Sequence, residues 1–280
     1  MASKALKQWK ADPGDLFPYR GQYGSKLWAA TFFLFTRSLL LIFAYSILVP
    51  SNSFWSLFSR FPGAAPSRPP YTGALSLPGI PDVLLRTVEN ALGMPSFSSL
   101  IFLSILMNSI VFAFANTLWR RERFPMTGQG GGLVISAQVQ IVDLVHILLF
   151  VYTSSLNPTW SPALFRWMPM FIFSGEALQF VADHSKYLFR QNPWNDGKIY
   201  TGGLFNFVRH PNFLGFFVWR VAFATACGGL ILGVAVFAMF VNLFVQTSVP
   251  GLEGYLSAKY GKQWNLFKDR VKWKIFPGVY

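Results

Sequence analysis

Acids, amides and a histidine recur inside stretches of this chain that are otherwise apolar. Between Leu133 and Thr153, the residues Ser136, Gln140, Asp143 and His146 are spaced 4, 3 and 3 apart, which lines them along one helix face. Glu176, Gln179 and Asp183 form a second such row, and Arg37, Asn108, Asn116 and Arg220 fall in three further apolar stretches. Charged groups are costly inside a bilayer, so each needs a partner or a task. One arrangement pairs Arg37 or Arg220 with Asp143 or Glu176 as glue between helices. The other is a polar pocket in which Asp143 or Glu176, as a buried carboxylic acid, donates a proton to a lipophilic substrate. His146 alone reads as a satisfied buried histidine, in register with Asp143.

A second set of reactive types lies between Ala182 and Gly215, a polar segment dense in Lys, Arg, His, Asn and Gly. Lys186, Arg190 and Arg209 suit phosphates or a carboxylate. Gly202 and Gly203 let backbone approach a ligand closely. His210 precedes Pro211 at the start of an apolar stretch, where helix-terminal N–H groups favour an anion. Asn192-Pro193 reads as a turn. The tail adds Glu253, Tyr260, Trp264 and Arg270, types that stack on a planar ring or neutralise phosphates. The same alternation of aromatic and basic residues also describes an ordinary interfacial tail.

These residues must be positioned by membrane helices. The chain has 280 residues, of which 52% are hydrophobic and only 12% charged, against about 25% charged in soluble domains. That balance excludes disorder, collagen and a soluble coiled coil. A single cysteine, Cys227, excludes a disulfide framework and a cysteine zinc cluster, and the three His are scattered, so no metal site is expected. Six apolar stretches are predicted to span: Leu27–Val49, Phe97–Leu118, Leu133–Thr153, Ala163–Ala182, Asn212–Cys227 and Leu230–Val249. The last two form one run split at Gly228-Gly229, predicted to be a helical hairpin. Residues 1–26 are polar and basic, so the first stretch is a true span and not a cleaved signal. The loop 50–96 is rich in Pro, Ser and Gly and ends in a short amphipathic stretch, Val83–Leu92. Four segments on one side of this map hold 18 Lys and Arg, against 3 on the other (Arg60, Arg68 and Arg86). This places both termini in the cytosol. The net charge of +13 then reads as orientation and anionic-lipid contact, with no nucleic-acid partner.

The order Lys186…Arg190, Asn192-Pro193, Thr201-Gly202-Gly203-Leu204-Phe205 and Arg209-His210-Pro211-Asn212-Phe213-Leu214-Gly215 resembles the C-terminal signature of the steroid 5α-reductase superfamily. The ending, Lys259-Tyr260-Gly261…Trp264…Phe267…Arg270-Val271…Phe276-Pro277-Gly278-Val279-Tyr280, is similar to that of the sterol C14- and C7-reductases. The resemblance covers about 100 C-terminal residues, and the first 130 carry none. The same superfamily includes isoprenylcysteine carboxyl methyltransferase and small phospholipid methyltransferases, which share the Arg-His-Pro hairpin but use S-adenosylmethionine. Asn212, the Lys186/Arg190 pair, and Glu253 followed by Tyr260-Gly261 lie on the reductase side. Phe216, where reductases carry an acid, and the run to Trp219 lie on the methyltransferase side.

The resemblance implies an all-α, polytopic integral membrane protein with a cytosolic cofactor pocket. Its parts are a cytosolic segment 1–26, a transmembrane domain 27–249 and a cofactor-binding region 182–280. The implied activity is NADPH-dependent reduction of a carbon–carbon double bond in a sterol, steroid or other lipophilic molecule, in the endoplasmic reticulum. Glu176 or Asp143, or else a Tyr, would donate the proton. Lys186, Arg190, Asn192, Arg209, His210, Asn212, Glu253, Tyr260, Trp264 and Arg270 would bind the cofactor. The alternatives are an S-adenosylmethionine-dependent methyltransferase of a lipid or prenylated thiol, and a non-catalytic membrane scaffold.

Overall fold

The computed structural model describes residues 20–49, 75–128, 130–154 and 156–280, and every regular element among them is helical. Residues 1–19 and the 50–74 part of the expected non-cytosolic loop lie outside the described residues. The helices are α1 (Leu27–Leu48), α2 (Asp82–Leu92), α3 (Ser96–Phe114), α4 (Gly132–Thr153), α5 (Pro162–Phe165), α6 (Met168–Gln191), α7 (Pro211–Leu243), α8 (Val249–Tyr260) and α9 (Lys262–Arg270). A π turn, Ala115–Trp119, extends α3, and another, Phe244–Ser248, joins α7 to α8.

Among the described residues, four helical runs are long and apolar enough to cross a membrane: Leu27–Leu48, Ser96–Trp119, Gly132–Thr153 and Pro211–Tyr260. The chain is thus an all-α membrane protein. The last run has 50 residues and is folded in two. Gly229 breaks it with φ 79° and ψ −175°, a conformation open to glycine because it has no Cβ. Rings far apart in sequence then meet across the two arms. Phe213 stacks on Phe244 at 5.1 Å, Phe216 meets Phe240 at 5.3 Å and Phe217 meets Phe237 at 5.1 Å. A straight helix would hold residues 213 and 244 about 46 Å apart. The hairpin expected at Gly228-Gly229 is therefore present.

Three boundaries differ from the sequence expectation. The stretch Ala163–Ala182 divides: Ser161 accepts from the Leu164 N–H and Pro162 starts the separate short turn α5, after which α6 begins at Met168. α6 then runs past Ala182 through a polar end. There Lys186 pairs with Asp183 one turn away at 2.8 Å, and Arg190 complements the C-terminal dipole. It stops at Asn192, which Pro193 holds extended. The second hairpin arm does not end at Val249 either; it continues through the π turn into α8, which carries Glu253. α2 matches the amphipathic stretch foreseen at Val83–Leu92, closed by Gly93 in the left-handed region.

α6 and the first arm of α7 pack through glycines. A Cβ on Gly175 would lie 2.6 Å from the Trp219 nitrogen and 2.8 Å from the Gly215 oxygen, and one on Gly215 would lie 2.5 Å from the Gln179 nitrogen. Small residues permit this backbone approach in membranes. At one end of the bundle, Phe97, Phe150, Trp160 and Phe165 form an aromatic core, with Phe97 and Phe165 4.7 Å apart and Trp160 donating to the Ala226 carbonyl. The hairpin tip is tied there too, Asn157 donating to Gly228 O and Leu230 N to Thr159 O. At the opposite end, segments around residues 20, 115–123, 130, 183–213 and 252–267 converge on one cavity.

Candidate functional site

Deep in the bundle, five helices meet on one polar cluster. Arg37 of α1 donates to Asp143 of α4 at 2.5 Å, to Asn108 Oδ1 of α3 at 2.6 Å, to Gln140 and to Ser109. Arg220 of α7 engages the other oxygen of Asp143. Both carboxylate oxygens of Asp143 are therefore held by guanidiniums. The Asn108 amide, oriented by Arg37, donates to Glu176 Oε1 of α6 at 2.8 Å. Glu176 is fully buried, and its Oε2 has no hydrogen-bond partner. His146 Nδ1 is 2.6 Å from the Val142 carbonyl, and its ring stacks on Phe223. Of the two arrangements the sequence allowed, Asp143 adopts the ion-pair node, while Glu176 keeps a free oxygen.

The cavity lies two helical turns further along. Ala115, Asp183 and Phe213 line it, each seven residues from Asn108, Glu176 and Arg220 respectively except that Phe213 precedes Arg220; seven residues are about 10.5 Å of helix and return to the same face. It encloses about 310 Å³, at the lower end of the usual range of about 300–1,000 Å³ for ligand pockets. Lys186, Arg190, Arg209, His210, Asn212, Tyr260 and Trp264 all line it. Local structure sets them there. The N–H groups of Arg209 and His210 donate to the carbonyls of Trp273 and Lys274, so the tail is stitched to the Arg-His-Pro turn. Pro211 then opens α7. Glu253 Oε1 stands 3.1 Å from Arg209 Nη2 and 3.5 Å from His210 Nε2, near enough for ion pairing though not aligned as hydrogen bonds. Burial lowers the basicity of His210 below that of an ordinary imidazole, against the pull of Glu253. Arg209 Nε, His210 Nε2 and Trp264 Nε1 are buried and lack hydrogen-bond partners.

Three expected residues sit elsewhere. Asn192 caps the following turn by accepting from the Trp194 N–H. Arg270 pins the loop by donating to the Thr201 carbonyl. Glu253 stands behind Arg209 and His210 and does not line the cavity. The sequence reading missed one whole wall: Arg20, Arg120, Glu122, Arg123, Tyr255 and Lys259. Residues 22–25 lie against 122–124, with Arg123 N donating to Gln22 O and Phe124 N to Ser25 O. Lys26 caps the α3 end at the carbonyls of Thr117 and Arg120, and Arg120 stacks on Phe124 at 4.1 Å. The signal was present as the run Arg120, Arg121, Arg123, counted there only for orientation. Among the described residues, seven cationic side chains thus line the cavity against two acidic ones, Glu122 and Asp183.

Fold and site together define a helical membrane protein with a basic cavity at the mouth of its bundle. The chain belongs to the family described as "Protein of unknown function (DUF1295)", which matches residues 121–271. Its relatives fall on both sides of the superfamily that the motifs resemble. The "Probable O-methyltransferase ustE" of Ustilaginoidea virens is 28% identical over 268 residues, 92% of this chain and 88% of that protein. The "Probable 7-dehydrocholesterol reductase" of Acanthamoeba polyphaga mimivirus is 29% identical over 83 residues, 30% of this chain and 19% of the relative. The "Protein-S-isoprenylcysteine O-methyltransferase" of Dictyostelium discoideum is 25% identical over 104 residues, 37% of this chain and 43% of the relative. The chain thus spans less than half of the last two. No solved structure matches it.

Proposed function

We propose that the chain is a membrane-embedded reductase that uses NADPH to reduce a carbon–carbon double bond in a lipophilic molecule of the sterol or steroid kind. The observation that carries this reading is the charge of the cavity: seven Lys and Arg against two acids. Such a lining favours a ligand bearing several phosphates and disfavours a cation. The buried Arg209 Nε and Trp264 Nε1, which have no hydrogen-bond partner, supply directed polar contacts that fix a ligand's orientation. NADPH, when bound, supplies the hydride. The chain's own part is to hold it: Lys186, Arg190, Lys259 and Arg209 neutralise phosphate charge, and Tyr260 and Trp264 offer flat faces. Glu176 is the candidate proton donor, with Asp143 fixing Arg37 and, through it, Asn108. The assignment of 1–26 to the cytosol, 27–249 to the membrane and 182–280 to cofactor binding follows the same reading, with both termini cytosolic in the endoplasmic reticulum.

Methyl transfer from S-adenosylmethionine to a lipid or prenylated thiol is the second reading. It is supported by the similarity to an O-methyltransferase along nearly the whole chain. Phe216 packs among Trp219, Phe240 and Phe244 and brings no acid.

Calorimetry on the purified protein separates the two. NADPH is expected to bind, and binding should weaken by at least about tenfold when Lys186 and Arg190 are both changed to Gln, a loss of about 1.4 kcal/mol. Tight binding of S-adenosylmethionine with no response to NADPH would overturn the first reading in favour of the second.

A further inference from the structure

One wall of the basic cavity is held differently from the rest. Residues 120–126 are anchored on both sides: Arg121 donates to the Arg190 carbonyl at 3.0 Å, and Gly132 N and Leu133 N donate to the carbonyls of Pro125 and Met126. Lys26 fixes the start of α1 by donating to the carbonyls of Thr117 and Arg120 at 2.6 and 2.7 Å. Residues 20–25 run from that anchor to the cavity, where Arg20 lines it. They lie on the anchored segment through Arg123 N to Gln22 O at 2.6 Å, Phe124 N to Ser25 O at 3.3 Å, and an antiparallel bridge that sets Tyr23 opposite Glu122. Gln22, Tyr23, Gly24 and Ser25 are exposed, Tyr23 to 62%. Little apolar burial therefore holds this stretch, and exposed backbone bonds of that kind open locally at low cost. Gly21, with φ 74°, provides a pivot beside Arg20.

Charge acts on the same stretch. Arg20 and Arg123 line the cavity with five further cations, against Glu122 and Asp183. Without an anion among them these like charges repel one another, and the repulsion moves the part that has the fewest contacts. A ligand bearing several phosphates reverses the sign, because it gives the guanidiniums charge-assisted partners. Such a ligand interacts more strongly with the arrangement that has Arg20 in place than with one that has it swung away. That difference is what shifts the population toward closure.

We propose that residues 20–25 are a strap that closes the basic cavity over a phosphate-bearing ligand. The ligand draws Arg20 inward, and the strap peels from 122–124 for the ligand to enter or leave. That the ligand is NADPH rests on the reading of the cavity as a cofactor site; the closure does not. Tyr23 and Glu122 give a direct handle on it. Residues opposed across an antiparallel bridge have Cα atoms about 4.5–5.5 Å apart, within the range of about 4.4–6.8 Å that a disulfide spans.

The test is the full chain carrying Tyr23→Cys and Glu122→Cys, oxidised or reduced, in lipid nanodiscs; the native Cys227 is buried and does not interfere. Stopped-flow fluorescence should show NADPH entering the oxidised protein at least about tenfold more slowly than the reduced one, and leaving more slowly by a similar factor when the bond is closed after loading. Access is also read without NADPH, by adding Ala115→Cys, which lines the cavity, and an anionic methanethiosulfonate reagent. Position 115 should be protected in the oxidised form and react in the reduced one. In the wild-type protein, hydrogen exchange at the Arg123 and Phe124 amides should be slowed by NADPH. Arg20→Gln should abolish that slowing and raise the NADPH release rate about tenfold, the size of one charge-assisted contact. Equal entry, release and reactivity in the fully cross-linked and reduced proteins would overturn the strap. Unchanged release and exchange in Arg20→Gln would overturn closure by the ligand's charge. No NADPH binding in the wild-type protein, with protection of position 115 still set by the disulfide, would sink the cofactor reading and leave the strap standing.

Discussion

At the scale of single residues, the polar atoms in the bundle divide into those that are satisfied and those that are not. Asp143 has both oxygens engaged by Arg37 and Arg220. Removing its charge leaves two buried guanidiniums without a counter-ion, and breaking a buried pair from one side costs about 3–5 kcal/mol. Asp143→Asn should therefore lower the unfolding midpoint of the purified protein steeply, whereas Glu176→Gln, which keeps an acceptor for Asn108, should leave it nearly unchanged. Equal midpoints for both variants would show that Asp143 is not the structural node. His210 gives a pH signature. Its folded-state pKa is depressed by burial, so the unfolded chain binds a proton first as pH falls below about 6.5. Its contribution to stability is present above that value and is lost as pH drops toward the folded pKa. Stability measured from pH 7.5 to 5 should decline on the acid side, and His210→Gln should flatten that decline. An identical slope in the variant would assign the loss to another group.

At the scale of elements, the glycines explain what the motif does locally. Gly215, the last residue of the Arg-His-Pro-Asn-Phe-Leu-Gly stretch, does not line the cavity; it lets α7 touch the α6 backbone. A methyl group there would meet Gln179 backbone at 2.5 Å, and neither helix can yield without parting from the other. Gly215→Ala should cost about 1–3 kcal/mol of stability, as overpacking does, while the folded fraction still binds cofactor with near-normal affinity. A variant of wild-type stability that has lost binding would move Gly215 into the site. The element boundaries show what was legible beforehand. The hairpin could be read because two glycines interrupt an apolar run too long for one span. The start of α6 could not, because Ser161-Pro162 caps a separate turn inside an apolar stretch, and hydropathy does not register a hydroxyl accepting from Leu164 N. The far end of α6 was hidden for the opposite reason: Lys186 and Arg190 read as loop until the pairing of Lys186 with Asp183 one helical turn away is seen. The missed cavity wall shows a different limit. Arg20, Arg120 and Arg123 reach the site only because residues 22–25 lie against 122–124, a contact between segments about 100 positions apart that no local pattern announces.

At the scale of the whole molecule, charge and geometry converge independently. The four segments that hold 18 of the Lys and Arg are those whose described residues gather around the basic cavity, and Asn157 and Thr159 meet the hairpin tip at the other end. Positive charge on one end of a bundle is what cytosolic retention produces, so the cavity should face the cytosol and both termini with it. The cofactor reading needs this, since NADPH and S-adenosylmethionine are water-borne. The native Cys227 is buried, so engineered thiols report without background. Val279→Cys, 81% exposed in the tail, and Val83→Cys, 66% exposed on α2, should label from opposite sides of sealed microsomes by a membrane-impermeant maleimide. Position 279 should react at once and position 83 only after the membrane is permeabilised. Reaction of both in intact vesicles would require an odd number of crossings fewer between them than the helices provide. Reaction of position 83 alone would invert the molecule, put the basic cavity in the lumen and remove it from the cytosolic cofactor pool.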